Sequence, residues 1–316
     1  IGLADGLVLG DSASGIASSG VSHSFTRRER EPGNVAPSFT RQDGDFLEEQ
    51  ISLTFAFPLA GPRSNVNPTT PVDLDFEHDP GIDALLEACG LTGNASTADP
   101  TVGWRYQTAD VGIATAKLWD SGFAWVVRDI RGDIAIAAGP GEIAIATCTL
   151  TGVIDSGSLA AFPTLDFGVQ ASVGAPSVRG VNPSWGISGE IRGWPDLTIT
   201  VANEIQQIPD SASSTGSVPE QTGRTVTVAM TIRDTDTDVD FTRANLVGTT
   251  APTDDLRATV GTPAAAGDPA LAYQLDVRNL RVTQSTPAVM GSAAASQVTA
   301  VATSATADDE FSITFL

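Results

Sequence analysis

The chain has 316 residues, enough for one large or two ordinary domains, and carries 17 basic against 38 acidic side chains, a formal charge of −21. Gripping a phosphate backbone requires clustered Lys and Arg, and here Lys117 is the only lysine, so nucleic-acid binding is excluded as the main activity. No apolar run approaches the ~18 residues of a membrane-spanning helix, and Ile1–Gly20, with no basic residue ahead of its apolar positions, does not read as a signal peptide.

In chain order, Arg27–Asp45 reads as a polar loop with charges of both signs and two prolines. Phe46–Phe57 follows as a strand, with Leu53, Phe55 and Phe57 on one face at period two. Gly61–Asp73 is a second polar loop. Its length exceeds the ~12 residues beyond which a loop inside a compact domain is usually functional or disordered. The stretch HDPGIDALLEACGLTG then predicts a helix over 80–90. Asp79 caps it, Pro80 fits the first turn, Gly90 fits the stop, and Ile82, Leu85, Leu86 and Cys89 share one face. Strands are predicted at Thr101–Gln107, Gly112–Trp119, Phe123–Arg128, Asp133–Ala138 and Glu142–Leu150. Asp155–Pro183, rich in Gly, Ser and Pro, reads as a linker. The second half predicts strands at Trp185–Glu190, Pro195–Ala202, Arg224–Arg233, Leu256–Val260, Tyr273–Thr283, Ser296–Ser304 and Glu310–Phe315. A long polar loop at Asn203–Gly223 and a short helical candidate at Asp240–Leu246 interrupt them. Long alternating segments with few helices predict an antiparallel sheet with one wet face.

No catalytic or metal-binding set emerges. His23 and His78 are the only histidines, and neither has a His or Cys partner at ligand spacing. Gly139-Pro140-Gly141-Glu142-Ile143-Ala144 matches a dinucleotide fingerprint in letters. The β-branched IAIATCTL that follows opens no helix, so a hairpin turn is expected. Arg131-Gly132-Asp133 spells an adhesion tripeptide but lies between strand patterns, where a turn or strand start is the simpler reading. Asp234-Thr235-Asp236-Thr237-Asp238-Val239-Asp240 lacks the Gly and Glu of a calcium loop. As a strand continuation it would be either a solvated edge or an acidic stripe. Cys89 and Cys148 are expected to be buried free thiols. No cofactor is implied.

The two halves share an element order: strand, helix candidate, strands, closing pair. A division into 1–154, a linker at 155–183, and 184–316 follows, with the second part a diverged copy of the first. The residues carrying a family resemblance are FTRRERE, ISLTFAFPLAG, HDPGIDALLEACGL and RGDIAIAAGPGEIAIATCTLTG in the first half. In the second they are ANEIQQIPDSASSTG before RTVTVAMTIRD, and AYQLDVRNLRV before the last strand. Together they resemble the tail tube (major tail) proteins of long-tailed bacteriophages. That resemblance implies a mainly β fold, an antiparallel β-sandwich or partial barrel with a flanking short helix, here duplicated. It implies a non-enzymatic virion protein, assembled in the host cytoplasm, whose rings stack into a conduit for genome ejection. The implied partners are other copies of the chain, in rings that the two-half pattern makes trimeric rather than hexameric, and tape-measure, tail-terminator and distal tail proteins. Double-stranded DNA would pass through without specific binding. Asp234, Asp236 and Asp238 become candidates for the lumen wall, and Arg63, Asn65, Asn67, Asp210 and Glu220 for ring stacking. The alternatives are an immunoglobulin-like surface binding or adhesion module, and another β-rich virion protein of a decoration or baseplate.

Overall fold

The computed structural model of the chain describes residues 6–9, 21–30, 45–59, 85–94, 105–120, 123–159, 184–185, 189–190, 194, 196–209, 217–233, 254–260, 273–303 and 308–315. The strands of these residues are β1 (Gly6–Leu9), β2 (Val21–Arg30), β3 (Asp45–Pro58), β4 (Leu91–Asn94), β5 (Arg105–Thr108), β6 (Ala114–Asp120), β7 (Phe123–Ala138) and β8 (Ile145–Leu159). The second half adds β9 (Ser184–Trp185), β10 (Gly189–Glu190), β11 (Leu197–Pro209), β12 (Ser217–Arg233), β13 (Asp254–Val260), β14 (Tyr273–Met290), β15 (Ala293–Ala302) and β16 (Phe311–Phe315). Every pairing among them is antiparallel. They form one sheet in the order β10-β9-β13-β14-β15-β12-β11-β7-β8-β3-β2. β1 lies beside β6, β6 beside β7, and β16 joins β14 to the β5–β4 pair. The fold is mainly β and antiparallel, as the alternation predicts.

Alternation decides which face is dry. Ile51, Leu53, Phe55 and Phe57 of β3 are buried, while Ser52, Thr54 and Ala56 between them keep partial contact with solvent. Leu197, Ile199 and Val201 do the same on β11, and Val226, Val228, Met230 and Ile232 on β12. These faces and the helical turn at 85–88 meet in one continuous core that draws on both halves of the chain.

The pairings of the two halves correspond strand for strand. The first contains the order β1-β6-β7-β8-β3-β2 and the second β9-β13-β14-β15-β12-β11. The registers match as well. Ala114 lies opposite Ile130 and Ala116 opposite Val127, so Arg128 and Asp129 together face one residue of β6. Asp254 lies opposite Leu280 and Leu256 opposite Val277, so Arg278 and Asn279 together face one residue of β13. Each is a β-bulge whose extra residue is left-handed, Asp129 at φ 56 and Asn279 at φ 50. Asp and Asn tolerate that conformation better than other side chains with a Cβ. The sequences at the two bulges are Val127-Arg128-Asp129-Ile130-Arg131 and Val277-Arg278-Asn279-Leu280-Arg281. Each first arginine faces an aspartate, Asp155 at 3.2 Å from Arg128 and Asp309 at 3.9 Å from Arg278. In the first half β8 runs on past the bulge and sets Leu159 opposite Phe123. In the second half the same place is taken by the separate strand β16, with Phe315 opposite Tyr273.

Several expected boundaries move. Phe123–Arg128 and Asp133–Ala138 are one strand, β7, because the bulge between them keeps pairing on both sides. The strand predicted to end at Leu150 continues to Leu159, so the first five residues of the expected linker belong to β8. Arg27–Arg30, read as loop, end β2. Asn203–Gly223, also read as loop, consists at both ends of strand: β11 runs to Pro209 and β12 starts at Ser217, with Pro209 opposite Ser217. The helix is described only at 85–88, and Gly90 ends it at φ 77, donating to the Glu87 carbonyl. Gly139-Pro140-Gly141 is a turn, closed by Glu142 N–H on the Gly139 carbonyl with Gly141 at φ 83. Gly61–Asp73, His78 and Asp240–Leu246 lie outside the described residues.

Gly132 is fixed by sterics. A Cβ there would overlap the Thr149 carbonyl oxygen and sit 2.7 Å from Leu150 Cα, both backbone atoms of the paired strand β8. Gly141 is fixed only by its φ, since a Cβ there meets open space. Gly141→Ala should therefore cost ~1–2 kcal/mol. Gly132→Ala should cost more, because the ladder between β7 and β8 must part to admit the methyl group. Urea midpoints of the two variants check the ranking; equal midpoints would show that β7 and β8 are less close at Gly132.

Candidate assembly surfaces

The two halves join at a strand pair. Leu197–Val201 of β11 lie antiparallel to Ile134–Ala138 of β7, with Leu197 opposite Ala138 and Val201 opposite Ile134. The core-facing members are Ile134, Ile136, Ala138, Leu197, Ile199 and Val201, all buried. Beyond this ladder Asn203 extends the junction with its side chain. Its backbone N–H donates to Asp133 Oδ1 at 2.7 Å. Its Nδ2 donates to the Gly132 carbonyl at 2.7 Å and the Cys89 carbonyl at 3.0 Å. Gln221 on β12 donates to Asn203 Oδ1 at 3.0 Å and accepts from Val111 N–H at 2.8 Å. One amide pair thus ties the end of the helical turn, β7, β11, β12 and the approach to β6.

A second polar knot lies beside it. Arg224 on β12 donates to the Ala109 carbonyl at 2.6 Å, to Asp308 at 2.6 Å and to Glu310 at 3.0 Å. Thr108 donates to the same Glu310 carboxylate at 2.9 Å. The arginine side chain is 9% exposed and Glu310 16% exposed, so this ion pair is shielded from water more than the surface pairs are. Cys89 and Cys148 are free and buried, their sulfurs 3.9 Å apart. Hydrogen bonding to Cys148 and burial push the Cys89 thiol well above its ordinary range.

Arg131-Gly132-Asp133 is strand interior, and its carboxylate is bound to Asn203. Burial raises the Asp133 pKa, and the Asn203 N–H opposes the shift. Glu220 sits exposed in β12 opposite Gln206, the only stacking candidate within the described residues. Arg63, Asn65, Asn67 and Asp210 lie outside them, as do the wall candidates Asp234, Asp236 and Asp238. His23 is on β2 opposite Leu53. Among the described residues no three His, Cys, Asp or Glu side chains come together as a metal site. The residues that sequence reasoning missed are Asn203, Gln221 and Arg224. The first two lie in a stretch whose polarity reads as loop, and only the strand extension reveals their position. No protein-family model and no curated protein sequence matches the chain.

The Asp133 shift has a definite sign. The folded chain holds this proton more tightly than the unfolded chain, so the group contributes most below the ordinary carboxylate pKa, and its contribution falls as pH rises through the raised value. Asp133→Asn keeps an acceptor for Asn203 and removes the ionisation. Its stability relative to the parent should therefore improve from about pH 4 to about pH 7. Asp133→Ala leaves the Asn203 N–H unpartnered and should cost ~1–3 kcal/mol. Chemical unfolding at both pH values tests this; a variant difference flat in pH would remove Asp133 as a titrating group.

Proposed function

We propose that the chain is a structural subunit that assembles with copies of itself into rings, which stack into a tube like those of the bacteriophage tail tube proteins it resembles. The observation that carries the reading is the repeated strand order, β1-β6-β7-β8-β3-β2 and β9-β13-β14-β15-β12-β11, with its repeated left-handed bulge. We read it as an internal duplication. The two copies are joined edge to edge by the β7–β11 ladder. A head-to-tail contact of this kind, repeated between chains, generates a ring when the rotation closes. With two copies per chain, three chains fill six places.

Charge supports the same reading. A trimer carries 3 × −21 = −63 formal charges. DNA bears one negative charge per ~1.7 Å of duplex axis, so an acidic conduit lets it pass without adhering. On this proposal Asp234, Asp236 and Asp238 belong to the wall, and Arg63, Asn65, Asn67, Asp210 and Glu220 to contacts between stacked rings. The tube's other partners are tape-measure, terminator and distal tail proteins, its place is the virion, and its function requires no catalysis and no cofactor.

Negative-stain microscopy of the purified protein, with mass measurement of the smallest closed assembly, tests the proposal. Rings or tubes built from three chains, with six similar lobes per ring, are expected. Six chains per ring would remove the pseudo-sixfold arrangement. A protein that stays monomeric at every concentration and salt level would remove the tube.

A further inference from the structure

The internal junction uses one edge from each half, and the corresponding edge of the other half carries no described strand. In the first half β7 offers Ile134–Ala138 to β11. Its counterpart in the second half is Ser285–Val289 of β14. The identification follows from β8 and β15: Ile134 faces Cys148 and Ser285 faces Val298, each one step beyond Thr149 and Thr299. Among the described residues no strand lies on the outer side of Ser285–Val289. In the second half β11 offers Leu197–Val201. Its counterpart in the first half is Val21–Phe25 of β2, because Val21 faces Phe55 of β3 where Leu197 faces Met230 of β12. No described strand lies on the outer side of β2 either.

One apolar residue on each of these edges is far more exposed than its counterpart. Val201 is 1% exposed, and its counterpart Phe25 is 47% exposed. Ala138 is 7% exposed, and its counterpart Val289 is 76% exposed. Both sides of the missing junction thus carry solvent-facing apolar groups where the internal junction is dry.

We propose that Ser285–Val289 of β14 in one chain pairs antiparallel with Val21–Phe25 of β2 in a second copy, reproducing the β7–β11 ladder between chains. The internal register transfers directly: Val21 opposite Val289, Ser22 opposite Ala288, Ser24 opposite Thr286, Phe25 opposite Ser285. This assignment rests on the ring reading and specifies its contact. The occupant is a second copy because the chain already contains that contact's template, edge, partner and register together. One difference is built in. Asn203 N–H points at β7, so the N–H groups of Val201, Ile199 and Leu197, which alternate in phase with it, face β7 as well. Ile136, opposite Ile199, therefore exchanges its hydrogen bonds with β11. Pro287 stands in the place of Ile136 and has no N–H, so the ladder between chains has one donor fewer than the ladder within the chain. Proline at an edge also discourages pairing with unrelated strands.

Cysteine crosslinking tests the register. Ser22→Cys with Ala288→Cys places the thiols on directly opposite residues. Ser22→Cys with Thr286→Cys displaces them by two residues. The native thiols, Cys89 and Cys148, are free but buried, so they do not compete. Mild oxidation of assembled protein should link at least tenfold more of the first variant than of the second into dimers and trimers on a non-reducing gel. In a second variant, Val289→Asp, a side chain exposed within the single chain is changed. Its urea midpoint should match the parent's while the smallest assembly by light scattering falls to one chain. If rings form but the opposite pair links no better than the displaced pair, the edge assignment is wrong and the ring reading stands. If Val289→Asp assembles as the parent does, the assignment is likewise overturned. If the parent is a monomer throughout, both fall.

Discussion

The ladder between β7 and β11 is the contact on which the architecture depends. A strand edge offers unpaired N–H and C=O groups, and leaving them bare invites association. Here the edge of the first half is satisfied by β11, the end strand of the second half's six-strand run. The pairing also turns two sheets into one and places Leu197, Ile199 and Val201 over the same core as Ile134 and Ile136. The polar knot around Asn203 follows from it. Asn203 continues β11 past the end of the ladder, and it can reach Asp133, Gly132 and Cys89 only because β11 is held against β7. The close approach of β8 at Gly132 sits on the opposite side of the same stretch of β7. The region is therefore tightly determined from both edges.

The bulge explains how β7 serves two neighbours on one edge, and β14 carries the same bulge. A strand that pairs with β6 along its first part and β11 along its last must alter its twist in between. An extra residue in the left-handed region supplies the bend and increases the local twist. Asp129 and Asn279 occupy that point, flanked in both cases by arginines. Each first arginine crosses the bend to an aspartate, but these pairs are partly exposed and contribute little to stability by themselves. Past the bend neither following stretch pairs with β6 or β13: Ile134–Ala138 pairs with β11, and Ser285–Val289 has no described strand on that edge.

The strands that face the core were legible because an apolar residue at every second position is a two-state signal. β3, β11 near Leu197 and β12 near Met230 all carry it. β2 was not legible, because VSHSFTRRER puts Ser, His, Thr and Arg at most positions, as an edge strand can. The hairpin from Asn203 to Gly223 was missed for a related reason. Glu204, Gln206, Ile208 and Glu220 are all exposed on one face, and Asn203 and Gln221 put polar groups on the other, so the ribbon shows no apolar period of two. The closest residue-level match between the halves was also in plain view: Val127–Arg131 and Val277–Arg281 differ by 277 − 127 = 150 positions. Five residues are too few to stand out until the bulge gives each of them a role. The junction's amides and Arg224 had no signal at all, since nothing in a polar stretch marks which side chain will be enclosed.

If the proposed ring is built from an internally duplicated chain, the duplication changes the energetics of its closure. Association between separate chains costs translational and rotational freedom at each contact, while a contact within one chain is formed at high effective concentration. On the ring proposal, joining two copies covalently would make half of the six contacts intramolecular, and those would fold with the subunit. The remaining three decide when assembly occurs. In the proposed ring these would be the weaker ones. The proposed ladder, with Pro287 in place of Ile136, would lack one donor, and the apolar groups it would cover, Phe25 and Val289, are exposed in the single chain. An edge as good as the internal one would seize any exposed strand, including that of a half-folded copy. A weaker edge needs several correct pairs at once, which favours a closed ring over an open chain. In the proposed ring, strong pairing inside the subunit with weaker pairing between subunits would thus separate folding from assembly while both use one geometry.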